Sequence, residues 1–221
     1  MSGALKLRQR RSRQRREKIV AAATRLFGRQ GIGQTSLTDV ARLAGIPLPS
    51  LYDYFKDKQD LVGAVPEENY LALYRRVTQD ATAGERSART LLRSIYLANF
   101  EYIRANPDWG RLFFLEIWPS AAVGSSRAGQ ARIRKSVDRY ALRYVELVGA
   151  AIEAGDYRKD LDPYLAMSSL MGGMCQLTAV WLLYRQPYDL VQRGAEMFDL
   201  LERAFVRERA ARRTATRKAR R

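Results

Sequence analysis

Histidine is absent from the 221 residues, and cysteine occurs once, at Cys175. Those two shortages remove the usual transition-metal ligand sets and an internal disulfide framework, so neither a structural metal nor a cofactor is expected. The chain also lacks a phosphate-binding glycine loop, a nucleophile elbow and any paired arrangement of carboxylates, which argues against an enzyme. No stretch alternates apolar and polar residues long enough to make a strand. Glycine and proline fall between stretches of helical length, so the expected fold class is all-α.

Acidic charge is scarce at both ends. Of the formal net charge of +16, residues 1–18 contribute +7 and residues 203–221 contribute +8, which leaves the body between them nearly neutral. Two basic ends on a neutral body favour a polyanionic partner, because Lys and Arg that neutralise phosphates release counterions. Nucleic acid is the leading candidate. The first 16 residues are basic but carry no apolar stretch of the secretory kind, so a cytoplasmic protein is expected.

Residues 164–184 carry no charge over 21 positions, enough to span a bilayer. Ser168, Ser169, Gly172, Gly173, Gln176 and Thr178 within that run fit a buried helix better, and no membrane partner is expected.

Helical spacing begins at about residue 13. Ile19, Ala23, Leu26 and Phe27 form one stripe of a helix over 13–30, which Gly31 is placed to end in a left-handed conformation. Ser36 with Asp39 three residues on makes a capping box for a short second helix that carries Leu37, Val40, Ala41 and Ala44. Gly45 ends it and Ile46 plugs the turn. Pro47 and Pro49 then open a third helix with Leu51 and Phe55 facing inward. Asp57 caps a fourth, in which Pro66 should kink or restart the helix and serve as a hinge. Residues 82–87 read as a linker. Further helices are expected over 88–106, 109–118, 127–154, 162–184 and 187–209, with a basic disordered tail over 210–221.

A short helix, a glycine-containing turn and a second short helix describe a helix-turn-helix. The run from Thr35 to Leu61, TSLTDVARLAGIPLPSLYDYFKDKQDL, resembles the DNA-binding signature of the TetR/AcrR family in its spacing and in its Leu51, Tyr52, Tyr54, Phe55, Lys58 core. The resemblance is close over about residues 13–65. It implies a basic arm over 1–12, a three-helix DNA-binding domain over 13–65, and a ligand-binding and dimerisation domain over 66–209.

Carried onto this sequence, the resemblance implies phosphate contacts from Ser36, Tyr52, Tyr54 and Lys58, which set register without reading bases. Base edges fall to Thr38, Leu48, Ser50 and Asp53. None of these four is Arg, Lys, Asn or Gln, so the bidentate contacts to guanine or adenine are missing from the recognition helix. Specificity is then expected to lean on DNA shape, on water or on the arm, which would reach into an adjacent minor groove. Pro47 stands where relatives often have a hydroxyl cap.

The C-terminal helices are expected to enclose a pocket for a small apolar effector. Its candidate residues are Tyr96, Asn99, Phe100, Phe114, Trp118, Tyr140, Tyr144, Met171, Met174, Cys175, Thr178 and Trp181. The closing stretch also resembles family members that answer to acyl-CoA or fatty acids. Leu190, Val191, Met197, Phe198, Leu201 and Phe205 repeat at helical spacing and are expected to form a homodimer interface, which would read a pseudo-palindromic double-stranded DNA operator. The expected function is a ligand-responsive repressor. The rival expectation is a constitutive architectural DNA-binding protein with no effector.

Overall fold

The helices start and stop where the sequence supplies caps. The computed structural model describes residues 2–81, 87–117 and 127–206. Helix α1 (Ser2–Gln30) ends at Gly31, whose φ of 88° is left-handed and whose N–H reaches the Phe27 carbonyl at 3.0 Å. The segment expected to be an arm before that helix is its first part, and residues 5–15 are exposed all round.

Helix α2 (Leu37–Ala44) carries the expected capping box. The Asp39 N–H donates to Ser36 Oγ at 3.1 Å, and the Ser36 N–H donates to Asp39 Oδ2 at 3.3 Å. Gly45, at φ 70°, closes it: its N–H bonds the Arg42 carbonyl, and the Ile46 N–H bonds the Ala41 carbonyl at 3.0 Å. Helix α3 (Leu48–Tyr52) is a single turn and a half, opened by Pro47 at its N-cap.

Helix α4 (Lys58–Ala81) runs unbroken through Pro66, correcting the expected restart. The missing N–H costs one bond to Val62, but Leu61, Ala64 and Val65 around it are fully buried. Packing on both sides holds the turn. Buried Asn69 adds a bond from its Nδ2 to the Val65 carbonyl at 2.9 Å.

Beyond residues 82–86, which lie outside the described residues, helix α5 (Ala88–Ala105) is capped by Ser87. One helix was expected over 109–118. Instead α6 (Pro107–Arg111) opens directly after Asn106 and passes into a π-helical turn, Leu112–Ile117. Helix α7 (Arg127–Glu153) follows, then α8 (Pro163–Leu183), capped by Asp162 Oδ1 on the Tyr164 and Leu165 amides. Helix α9 (Leu190–Phe205) begins behind Asp189, three residues later than expected from Pro187. The expected tail over 210–221 lies outside the described residues. No strand occurs among the described residues, as the sequence led us to expect.

Two groups of buried side chains join into one core. Ile19, Ala23, Phe27, Val40, Leu51 and Phe55 fill the space among α1, α2 and α3, while Leu92, Tyr96, Phe100, Leu112, Tyr144, Leu170 and Phe198 fill the C-terminal bundle. Helix α4 connects them, packing on α1, α5 and α7. Each fully buried large apolar side chain contributes about 2 kcal/mol. Helix α8 is long and apolar enough to cross a membrane by length and composition, yet here Ala166, Leu170, Met174, Thr178, Trp181 and Leu182 are buried in the bundle.

Candidate nucleic-acid interface and internal cavity

The turn between α2 and α3 fixes which side chains reach solvent. Leu51 and Phe55 are fully buried, and of the residues between them Tyr52 and Asp53 point away from the core. Tyr52 is 52% exposed and Asp53 is exposed beside it, while Tyr54 is half-buried against the core. Thr38 is exposed on α2. Leu48 and Ser50 are half-buried on α3, Leu48 packing on the core. Of the candidate base-facing and phosphate-facing residues, Ser36, Thr38, Tyr52 and Asp53 are exposed, and Leu48, Ser50, Tyr54 and Lys58 are half-buried.

Two of the expected phosphate ligands already have partners. The Ser36 hydroxyl donates to Asp39 Oδ2 at 2.6 Å while accepting from the Asp39 amide. The Ser36 side-chain hydrogen bond holds the Asp39 carboxyl below its ordinary range. Lys58, the first residue of α4, donates from Nζ to the Gly33 carbonyl at 3.3 Å. The amides at the start of α4 are partly served by Asp57, whose Oδ1 accepts from Asp60 N–H at 2.8 Å.

The basic segment is a helix rather than an extended strand. An α-helix with its side chains is about 10–12 Å across, and the minor groove of B-DNA is about 6 Å wide. As a helix, residues 2–12 are too wide for a minor groove, so the expected reach into one would require the segment to unwind.

The C-terminal bundle holds a partly open cavity of about 420 Å³ between α4, α5, α6, α7 and α8. Of the candidate effector residues, Asn99, Phe114, Tyr140, Met171, Met174 and Cys175 line it. Tyr96 and Phe100 do not. Their rings pack on each other at 5.2 Å, and Tyr96 packs on Phe198 at 5.3 Å, so both belong to the core behind the wall. Tyr144 is buried at the end of the Asn99 cluster, Thr178 is buried, and the Trp181 indole N–H is used on the Tyr188 carbonyl at 3.1 Å. Trp118 lies outside the described residues.

Sequence reading missed several lining residues: Asn69 and Leu73 on α4, Tyr102 and Ile103 on α5, Trp109 and Phe113 around α6, Val137 and Ala141 on α7, and Met167 on α8. Asn69, which follows Glu67 and Glu68, carried no signal that could have found it. Its Oδ1 accepts from the Tyr102 hydroxyl at 2.9 Å. Burial raises the Tyr102 pKa and pushes the Cys175 thiol up to about 11, so both stay protonated at neutral pH.

The residues expected at a dimer interface divide in two. Leu190, Phe198 and Phe205 are buried inside the protomer and cannot face a partner, and Phe198 is 0% exposed. A helical stripe on α9 does not say whether it packs on its own bundle or on another chain. Val191, Met197 and Leu201 are half-buried, the last two against Gly173 of α8. The large apolar residues left open on this side are Leu165, Leu183, Tyr184 and Leu200.

The two units meet at close contacts. A Cβ on Gly28 would stand 2.0 Å from the Asp108 carbonyl oxygen, so α1 touches α6 backbone to backbone. Arg29 pairs with Asp108 at 3.0 Å, Glu116 Oε2 accepts the Ile32 amide at 2.9 Å, and Arg16 pairs with Glu68.

The sequence profile of the bacterial regulatory proteins of the tetR family matches residues 19–65, which run from within α1 into α4. Among curated proteins, the fatty acid metabolism regulator of Bacillus subtilis is 22% identical over 191 residues, covering 83% of this chain and 91% of its own. The crystal structure of the regulator FadR from Bacillus subtilis in complex with stearoyl-CoA superposes with a TM-score of 0.76 at 21% identity, over 86% of this chain and 98% of that one. The ketosteroid regulator KstR2 of Mycobacterium tuberculosis gives a TM-score of 0.64 at 21% identity, over 88% and 96%. Residues 19–65 therefore carry the DNA-binding unit of the tetR family of bacterial regulatory proteins, and the chain as a whole shares the helical fold of these solved structures.

Proposed function

We propose that the protein is a homodimeric repressor that leaves its DNA operator when a small, largely apolar effector fills the C-terminal cavity. The observation that carries this reading is that one segment serves both tasks. Phe113 and Phe114 line the cavity, and Glu116 on the same π-helical turn holds the amide of Ile32 in the DNA-binding unit. A ligand that prefers a different position of that turn shifts the recognition helices, and only such differential affinity moves the equilibrium. The working units are a DNA-binding domain to about residue 65 and an effector and dimerisation domain from 66 to 209, with α4 spanning the boundary.

Tyr52, Tyr54, Lys58 and Ser36 are the phosphate ligands in this reading, and Thr38, Leu48, Ser50 and Asp53 face the bases. The partner copy covers the open apolar side of α8 and α9, where Leu165, Leu183 and Leu200 lie, and half-buried Val191, Met197 and Leu201 flank them. A cytoplasmic location follows from a DNA partner. The stearoyl-CoA complex of the Bacillus relative makes acyl-CoA the first effector class to test. The cavity counts against a constitutive architectural role, which needs none. The experiment is a genomic footprint with the full-length protein, then operator affinity with and without acyl-CoA thioesters of increasing length. Operator binding that no such ligand weakens refutes the effector reading and leaves the DNA-binding one.

A further inference from the structure

Three residues of the cavity wall serve a second space as well. Asn69, Tyr102 and Trp109 line the cavity and also an open cleft of about 780 Å³ between α1, α4, α5 and α6. That cleft lies where the DNA-binding unit docks on the C-terminal bundle. Val20, Thr24 and Arg29 line it from α1, and Ala72, Ala105 and Asp108 line it from the bundle.

The partition between the two spaces is closed by a single bond between helices. The Tyr102 hydroxyl on α5 donates to Asn69 Oδ1 on α4 at 2.9 Å. Asn69 is held in place from its other end, where Nδ2 donates to the Val65 carbonyl one turn back on its own helix. The Tyr102 proton and Asn69 Oδ1 are spent on each other, which suits them to closing a gap rather than to holding a ligand. The spaces on either side differ in chemistry. None of the described residues lining the cavity carries a charge, whereas Glu17, Arg25, Arg29, Glu68 and Asp108 line the cleft. A chain therefore gains by burying methylenes in the cavity, and a polar end keeps its hydration only in the cleft.

From this arrangement we infer that Asn69 and Tyr102 set the length of molecule that the cavity accepts. A short apolar chain stays behind the closed pair. A longer one parts the pair and lays its polar end in the cleft, against α1. The ligand class is a single-chain amphiphile with an apolar body and a small polar end, and Tyr102 is a specificity-determining residue. The inference rests on the cavity being the effector site.

The test is calorimetry on the full-length protein with 1-alkanols from hexanol to tetradecanol. Affinity should rise about fourfold with each methylene up to one limiting length and then level off, because a longer chain must break the Asn69–Tyr102 bond. Tyr102→Phe keeps the ring and removes that bond. It should tighten alkanols beyond the limit by about fivefold, one hydrogen bond's worth, and leave the shorter ones unchanged. Ala72 lines the cleft and not the cavity, so Ala72→Phe should weaken the long alkanols alone. A rise that continues to the longest alkanol, either variant acting on all lengths alike or on none, or no binding of any alkanol each overturns the inference. Operator affinity with and without an acyl-CoA thioester is measured in the same buffer. Release by the thioester without a length limit among the alkanols overturns the partition and leaves the repressor reading standing.

Discussion

The Glu116 carboxylate accepts the backbone N–H of Ile32 at 2.9 Å, so a residue one turn from the cavity wall holds the loop between α1 and α2. This loop also carries Thr35, whose hydroxyl donates to the Gly31 carbonyl at 2.8 Å and which leads directly into the Ser36 cap. Glu116→Ala should leave the fold intact but reduce the effect of effector on operator affinity. The measurement is the ratio of operator affinities without and with saturating effector. A ratio equal to that of the parent protein would show that the signal does not pass through this bond.

Gly28 sets how closely the two units dock. Gly28→Ala puts a methyl group 2.0 Å from a backbone oxygen of Asp108, which cannot swing aside as a side chain would. The helices must separate, at a cost of about 1–3 kcal/mol, and Tm should fall by about 5 °C. Gly33→Ala, which meets nothing within 4 Å, is the control and should behave as the parent protein. Equal melting of the two variants would mean that α1 and α6 are not held at this distance.

The helix-turn-helix was legible because each of its signals is local. Ser36 with Asp39, then Gly45 and the Leu51 and Phe55 pair, all act within a few residues, and the structure uses them as the sequence suggests. What was not legible depends on partners far along the chain. Pro66 was expected to kink or restart its helix, but α4 continues through it, where the burial of Leu61, Ala64 and Val65 offsets one lost hydrogen bond. Tyr96 and Phe100 looked like effector contacts because aromatic spacing does not distinguish a wall from the core behind it. Gly194 decides that case: a Cβ there would meet the Phe100 ring at 2.2 Å, so that ring is turned toward α9. Phe198 was misplaced for the same reason, since nothing on α9 itself reveals that α5 covers it.

Glu202 makes the C-terminal bundle sensitive to acid. Its carboxylate takes both Arg89 Nε and a second guanidinium nitrogen at 2.8 Å, and the Tyr157 hydroxyl at 2.8 Å. Burial alone would raise its pKa, but the Arg89 and Tyr157 hydrogen bonds and the Arg89 charge outweigh it, leaving Glu202 below its ordinary 4.5. A carboxyl whose folded pKa is lowered contributes stability above its unfolded value and loses it as pH falls through the folded one. Glu202→Gln should cost about 2 kcal/mol at pH 7, less than a fully buried pair because Arg89 is partly exposed. The difference should shrink as pH drops below about 4.5. Urea midpoints across pH check it, and a gap that widens in acid would reverse the assignment.

The proposed dimer can be tested on the open apolar side of α8 and α9. Leu183 is 62% exposed and Leu200 is 60% exposed, so Leu183→Asp and Leu200→Asp place a charge on the open side of α8 and α9 without disturbing the protomer core. Both should yield monomers of unchanged helicity by light scattering and circular dichroism. Phe198→Asp should instead unfold the bundle, because that side chain is wholly enclosed. Dimers persisting in both leucine variants would move the interface elsewhere.

The basic first part of α1 gives the last prediction. Lys6, Arg8, Arg10, Arg11, Arg13 and Arg15 are exposed on one helix with no acidic residue in its first turn, an arrangement that opposes the helix dipole and sets like charges three and four residues apart. Phosphates relieve both penalties, so DNA should favour the helix over the free chain. Deleting residues 2–12 removes four of those cations, and the slope of log affinity against log salt should flatten by up to about 3.6 per protomer. Charge alone would predict the same for any conformation. Ser12→Pro keeps every cation but breaks the helix at a cost of about 3 kcal/mol. A helix lying against the duplex should then lose affinity nearly as the deletion does, whereas a flexible arm threading the minor groove should bind as before. Tyr52→Phe, which weakens the helix-turn-helix contact and leaves α1 alone, should lower affinity in both backgrounds by the same factor. Parent-like operator binding by Ser12→Pro at several salt concentrations would show that the segment acts by its charge and not by its helical form.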